Sequence, residues 1–193
     1  MRNLMQKEET CTLSGIVAGC VGGFVATWIM SAAQNTAVTV ADELETRQAA
    51  RSPAEAATVA AGAGRGSGVI ENAEEGQRAA KRLVNRAADL AGVDLASDET
   101  TLGAGFVPFA FGTFVGGLYG GLAEHFPLVT VGNGALYGAA VWLGAEEFAL
   151  PALELTRPSL EAPVSSHATG LLSHLVYGNT LETVRRLVRA LLW

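Results

Sequence analysis

The sequence predicts an all-α integral membrane protein: one bundle of four transmembrane helices carrying a long, partly helical extracytoplasmic loop. Three observations predict it. Only 17% of the 193 residues are charged while 49% are apolar, against roughly 25% charged in an average soluble chain. Glycine is abundant, with 23 residues, about 12% where roughly 7% is usual. The charges are also segregated, leaving four long runs without Asp, Glu, Lys or Arg. Mean hydropathy is positive at +0.28.

The first run, Thr12 to Ala33, holds 22 residues. The second, Thr101 to Ala123, holds 23, the third, Leu128 to Ala145, 18, and the fourth, Pro163 to Leu181, 19. A helix rises about 1.5 Å per residue, so about 20 residues cross a hydrocarbon core about 30 Å thick. Backbone in lipid must satisfy its own hydrogen bonds, so each run is expected to be helical. The expected spans are 12–33, 101–123, 128–150 and 163–182, in a single membrane domain covering 1–193. The first run is long for a signal peptide, and its head mixes Arg2 and Lys7 with Glu8 and Glu9. It reads as an uncleaved anchor, with cleavage after Ser31-Ala32-Ala33 as the alternative.

Orientation follows from Lys and Arg near the span ends. An even number of spans puts both termini on one side, with Arg2, Lys7, Arg185, Arg186 and Arg189. The short loop opposite, 154–162, holds only Arg157. Both termini are therefore expected in the cytoplasm, the protein in the cell (inner) membrane, and the long loop 34–100 outside. Within that loop, Ala37 to Ala50 extends the first helix and Ser52-Pro53 reads as a break and restart. Gly62 to Gly68 reads as a flexible joint. Val69 to Gly92 resumes helical character, with Ile70, Leu83, Val84, Ala87, Leu90 and Ala91 as its apolar face. Such a helix lies on the bilayer, packs on the span ends, or stands in solvent. Asp98 or Thr100 is the expected cap of the second span.

Lipid tails are as apolar as leucine, so membrane helices associate by close packing, which small residues permit. Gly15, Gly19 and Gly23 fall at four-residue spacing, as do Gly112, Gly116 and Gly120. Gly134 and Gly138 repeat the spacing, and Gly170 and Gly178 frame the fourth run. Residues four apart share one helix face. These grooves are expected to seat a neighbouring helix, in a tight bundle, a homo-oligomer or a complex with other membrane subunits.

Ionisable groups inside spans are costly and are site candidates for that reason. Glu146 and Glu147 close the third run, at its outer surface or one turn inside. His174 is mid-span, either a buried imidazole bonded to a neighbouring helix or a proton-exchanging group. Glu182 stands near the inner surface with Arg185 and Arg186 one turn on, the arrangement of a helix-end anchor.

Other chemistry is not visible. Net charge is −6, which excludes a basic nucleic-acid binder. Cys11 and Cys20 are nine residues apart, about 13 Å on one helix and too far for a disulfide. The Gly62–Gly68 run lacks the Lys-Ser/Thr of a phosphate loop. Glu124-His125 needs partners from elsewhere to hold a metal. No nucleophile–base constellation appears, so neither an enzyme nor a cofactor is expected.

His174-Leu175-Val176-Tyr177, then Glu182, then Arg185-Arg186, resembles the closing signature of the YagU-like inner-membrane proteins, a family of small multi-pass bacterial proteins. Pro151, Leu155-Thr156 and Pro158 fit the segment that leads out of their third span. Gly15-Ile16-Val17-Ala18-Gly19 is similar in style to their opening. His174 to Gly178 is similar also to small four-span haloarchaeal membrane proteins. The resemblance implies an integral inner-membrane protein and supplies no substrate or cofactor. Where that family carries a His in the third span, this chain has Glu146. The function expected from residues alone is a structural or accessory membrane protein packing through its glycine faces. The alternative is a small transporter or proton-linked channel using Glu146, Glu147 and His174.

Overall fold

The computed structural model describes residues 2–49 and 64–192. Among the described residues the regular structure is entirely helical. Helix α1 spans Arg2–Ala49, α2 Gly64–Ala91 and α3 Ser97–His125. A tight 3₁₀ turn, Pro127–Thr130, leads to α4, which starts at Ala135–Trp142. This helix widens to π geometry over Leu143–Ala149 and finishes at Leu150–Ala152. After a second 3₁₀ turn, Ser159–Glu161, α5 covers Val164–Leu192.

Two stretches are long and apolar enough to cross a membrane, Thr12–Val40 in α1 and Ser97–His125 in α3. Polar side chains remain compatible with these helices because their hydroxyls bond backward. Thr27 donates to the Gly23 carbonyl and Thr36 to that of Ala32, the i−4 pattern that hides a hydroxyl inside a helix. The other two expected spans are less plain. The third does not begin at Leu128. Gly132, Asn133 and Gly134 all take positive φ, of 64°, 55° and 85°, so no helix can run through them. The fourth run is interrupted by Ser165, Ser166, His167, His174 and Asn179.

Helices α1, α3, α4 and α5 form an up-and-down bundle. The glycine faces meet in register within this one chain. A Cβ on Gly19 would overlap the Gly116 carbonyl, one on Gly23 the Gly112 carbonyl, and one on Gly120 the Gly15 carbonyl. Helix α1 therefore runs antiparallel to α3 with backbone against backbone. Gly134 meets Gly178, and Gly138 meets the His174 carbonyl, which joins α4 to α5 in the same way. Gly22 approaches the Leu181 carbonyl, bringing α1 against α5. Gly170 lies under Trp142 and Glu146. At one end of the bundle Thr12 bonds His125 at 2.9 Å and Arg189 pairs with Glu124. Both ends of the bundle's chain path are therefore together there.

Helix α2 closes the opposite end. Arg82 donates to the Leu155 carbonyl at 2.7 Å and Arg86 to that of Leu153 at 2.6 Å. Asn85 receives the Thr100 hydroxyl at 3.0 Å, and Arg157 pairs with Glu71 at 2.6 Å. The Glu71 hydrogen bond holds the Arg157 guanidinium above its ordinary pKa. So α2 packs on the helix ends.

Several local expectations are corrected. Gly64 to Gly68 form the first turn of α2 and are not a joint, while Gly62 and the Ser52-Pro53 break lie outside the described residues. The buried side of α2 is Ala79 and Ala80, and Leu90 is 91% exposed. The inward face is set by small residues that let the helix approach, and Leu90 lies past the docked stretch. The start of α3 is capped by Glu99, which accepts the Ala96 N–H at 2.9 Å, half of a capping box. Thr100 is occupied by Asn85.

The core sits mid-bundle: Ala26, Val115, Tyr119, Tyr177 and Leu181. The hydroxyls of its two tyrosines, and of Tyr137 packed against it, all find acceptors, as buried tyrosines must. Tyr177 donates to the Gly112 carbonyl at 2.6 Å, Tyr137 to that of Val115 at 2.7 Å, and Tyr119 to Glu182 at 2.8 Å.

Candidate functional site

Two polar centres flank that core. The one nearer the chain termini is an ionic network between α3 and α5. Glu182 is fully buried. Its Oε2 accepts Tyr119 and Arg185 Nε at 2.8 and 2.7 Å, and its Oε1 accepts Arg186 Nε at 2.6 Å and Arg185 Nη2 at 3.0 Å. Arg185 reaches on to Glu124 at 3.1 Å, which Arg189 also pairs. Expectation placed Glu182 as a surface anchor. The Glu–Arg pairing is present, but it is an interior lock that ties α5 to α3, because the three- and four-residue offsets bring both arginines back over one inward-facing carboxylate.

The other centre is a cavity of about 670 Å³ between the core and α2. Tyr177, Gly112 and Val115 form its floor, Met30, Phe109 and Phe111 parts of its wall, and Glu71, Glu75 and Lys81 of α2 its outer rim. Glu146, Glu147, His167 and His174 all line it. Three of these were candidates on sequence grounds. His167 was missed as a site residue. It stands seven residues before His174, two turns along the same face, and that spacing was the available signal.

The carboxylates sit in the π stretch of α4. Such wide turns are rare and frequent at functional sites. The extra residue per turn lets two adjacent glutamates serve two histidines stacked along α5. The two pairs are unequal. Glu147 Oε1 lies 2.6 Å from His167 Nδ1, and His167 Nε2 lies 3.0 Å from the Ser159 carbonyl. A carbonyl only accepts, so Nε2 carries a proton. One further proton is then shared between Nδ1 and the carboxylate, and the pair is electrically neutral wherever that proton sits.

Glu146 is different. The His174 Nδ1 lies 3.9 Å from its Oε1, beyond hydrogen-bond length. That nitrogen already donates to the Gly170 carbonyl at 3.0 Å, which leaves Nε2 as an acceptor in the neutral ring. No hydrogen bond among the described residues reaches the Glu146 carboxylate. Beside it, Trp142 Nε1 is buried without an acceptor. No cluster of three or more His, Cys, Asp or Glu suited to a metal ion occurs among the described residues.

A family model described as "Protein of unknown function (DUF1440)" matches residues 90–183, just under half of the chain. The matched stretch takes in α3, α4 and most of α5, with Tyr119, Glu124, both glutamate–histidine pairs and Glu182. It leaves out α1 and nearly all of α2. No curated protein and no solved structure matches the chain.

Proposed function

We propose that this chain is a small four-span transporter that exchanges protons for a ligand at Glu146. One observation carries the reading: the Glu146 carboxylate and the His174 imidazole line one cavity inside the bundle, and among the described residues no hydrogen bond reaches the carboxylate. A carboxylate facing largely apolar walls and no hydrogen-bond donor is most stable protonated or paired with a cation. Alternation between those two states is the elementary step of proton-coupled exchange. The cavity reaches toward α2, and the tyrosine core with the Glu182 network closes the other end.

The structural or accessory reading is the alternative. Of the tight bundle, homo-oligomer or larger complex expected at the glycine grooves, it is the chain's own helices that fill them here. A homo-oligomer or a complex with other membrane proteins would use the outer apolar faces, such as Phe106, Phe114 and Trp28.

The same reading places α1, α3, α4 and α5 across the inner membrane, with the termini and Arg185, Arg186 and Arg189 in the cytoplasm and α2 outside. It keeps the likeness to the YagU-like proteins. A fluorescent-protein fusion after Trp193 should glow, and a periplasm-dependent phosphatase fused there should be inactive. The reverse pattern overturns the orientation.

The functional test is proton flux in liposomes carrying an internal pH dye. Protein-dependent flux is expected, falling about tenfold or more in Glu146→Gln and His174→Ala, the size typical of losing a positioned proton-transfer group. Glu154→Gln, a control on the exposed side of the α4–α5 loop, should retain it. Flux no higher than in protein-free liposomes, under any imposed gradient, overturns the proposal.

A further inference from the structure

The cavity also has a charge signature. Four carboxylates line it, Glu71, Glu75, Glu146 and Glu147, against two fixed cations, Lys81 and Arg157. Most of that charge is already answered. Glu71 holds Arg157 at 2.6 Å, Glu75 accepts the Arg157 backbone N–H at 3.2 Å, and Glu147 is neutralised by His167 at 2.6 Å. The lining from α1 and α3 is uncharged: Thr27, Ser31, Gln34 and Asn35 from the first, Thr101 from the second, with apolar side chains around them. Glu146 is left as the lining carboxylate that no hydrogen bond reaches among the described residues, with the His174 imidazole 3.9 Å away.

A ligand for this site must bring positive charge to Glu146 and apolar surface to its walls. A bare metal ion needs several converging oxygens or nitrogens, and no such cluster exists among the described residues. A hydrated inorganic ion would have to shed water against Phe109, Phe111 and Met30. An anion would meet an uncompensated carboxylate. A volume of about 670 Å³ is within the roughly 300–1,000 Å³ range of pockets that enclose small organic molecules. Phe109, Phe111 and Tyr177 add aromatic rings to the lining, the side chains that favour a diffuse cation.

We infer that the cavity binds a monovalent organic cation with an apolar body, its charge at Glu146 and its hydrocarbon among Met30, Phe109 and Phe111. This names the ligand class of the proposed transporter and rests on that reading. His174 Nδ1 donates to the Gly170 carbonyl, so in the neutral ring Nε2 can accept from a ligand N–H.

The test uses the full chain in nanodiscs and two probes of the same shape and opposite charge, tetraphenylphosphonium and tetraphenylborate. Calorimetry should show saturable binding of the cation at one site. Tetraphenylborate should neither bind there nor displace it. Affinity for the cation should fall about tenfold or more in Glu146→Gln, the scale of one desolvated charge contact, and stay unchanged in Glu154→Gln. A second measurement needs no variant: bound tetraphenylphosphonium should protect Glu146 of the wild-type chain from carbodiimide labelling, read by mass spectrometry. Equal binding of both probes, no saturable binding of the cation, or labelling of Glu146 at an undiminished rate overturns the inference. Proton flux that depends on Glu146 without cation binding overturns the ligand class and leaves the transporter reading standing. Cation binding without flux does the reverse.

Discussion

Replacing Glu182 by Gln should cost about 3–5 kcal/mol of stability, the usual penalty for breaking a buried ion pair from one side. The reason is the charge balance around it. Three guanidiniums, Arg185, Arg186 and Arg189, face two carboxylates, Glu182 and Glu124. Without the Glu182 charge, Arg185 and Arg189 must share Glu124 inside the bundle, and Tyr119, Arg185 and Arg186 compete for one neutral amide oxygen while its NH2 faces the guanidiniums. For a chain of this length such a loss lowers the melting temperature by roughly 6–20 °C, measurable by a thermal scan in mild detergent. Arg186→Gln should change stability by less than about 1 kcal/mol, because that side chain is 59% exposed and water screens it. The double variant Glu182→Leu with Arg185→Leu should recover much of the loss, since no buried charge is then orphaned. A Glu182→Gln protein that melts with the wild type would show that the network contributes nothing.

Gly116→Leu should prevent the bundle from forming. A Cβ at Gly116 would lie 2.5 Å from the Gly19 carbonyl oxygen and 2.7 Å from the Gly23 Cα. Both are backbone atoms, so no rotamer change relieves the clash, and α1 and α3 must separate. The cost exceeds the ~1–3 kcal/mol of ordinary overpacking. Gly105→Ala is the matched control, because nothing lies within 4 Å of the added methyl. It should stabilise α3 by up to about 1 kcal/mol through helix propensity. The expected readout is an aggregated, protease-sensitive Gly116→Leu chain beside a Gly105→Ala chain that elutes and melts at or above wild type. Comparable behaviour of the two would mean that α1 and α3 do not meet as described.

How much of this was legible differs by feature. The four-residue glycine spacing located the faces that pack, because the helical period converts spacing directly into direction. It did not say whose helix fills the groove. That depends on the loops returning α3 to α1, which no local pattern encodes. Glu146 and His174 were identifiable because ionisable residues stand out in apolar runs. The π turn that aims Glu146 and Glu147 together was not, since Leu143 to Ala149 contains no proline and its composition suits an ordinary helix. Glu182 was misplaced for a related reason. Its depth is set by the side of α5 that meets Tyr119, and Arg185 and Arg186 nearby made a surface position the simpler inference. Tyr119 and Tyr177 carried a usable signal. A tyrosine in an apolar run needs an acceptor, and both hold the core to a neighbouring helix through one.

The glycine contacts have a mechanical consequence. They stitch α1 to α3 and α4 to α5 with main chain touching main chain, so each couple is a stiff lever. The seam between the levers is different. It is held by phenol tips and guanidiniums that can trade one acceptor for another without unfolding anything. At Gly22, against Leu181 and Arg185, the levers also touch through their backbones, which makes that spot a fulcrum. Any rocking of this molecule would pivot there, prising the tyrosine seam apart while both stitched couples ride along intact.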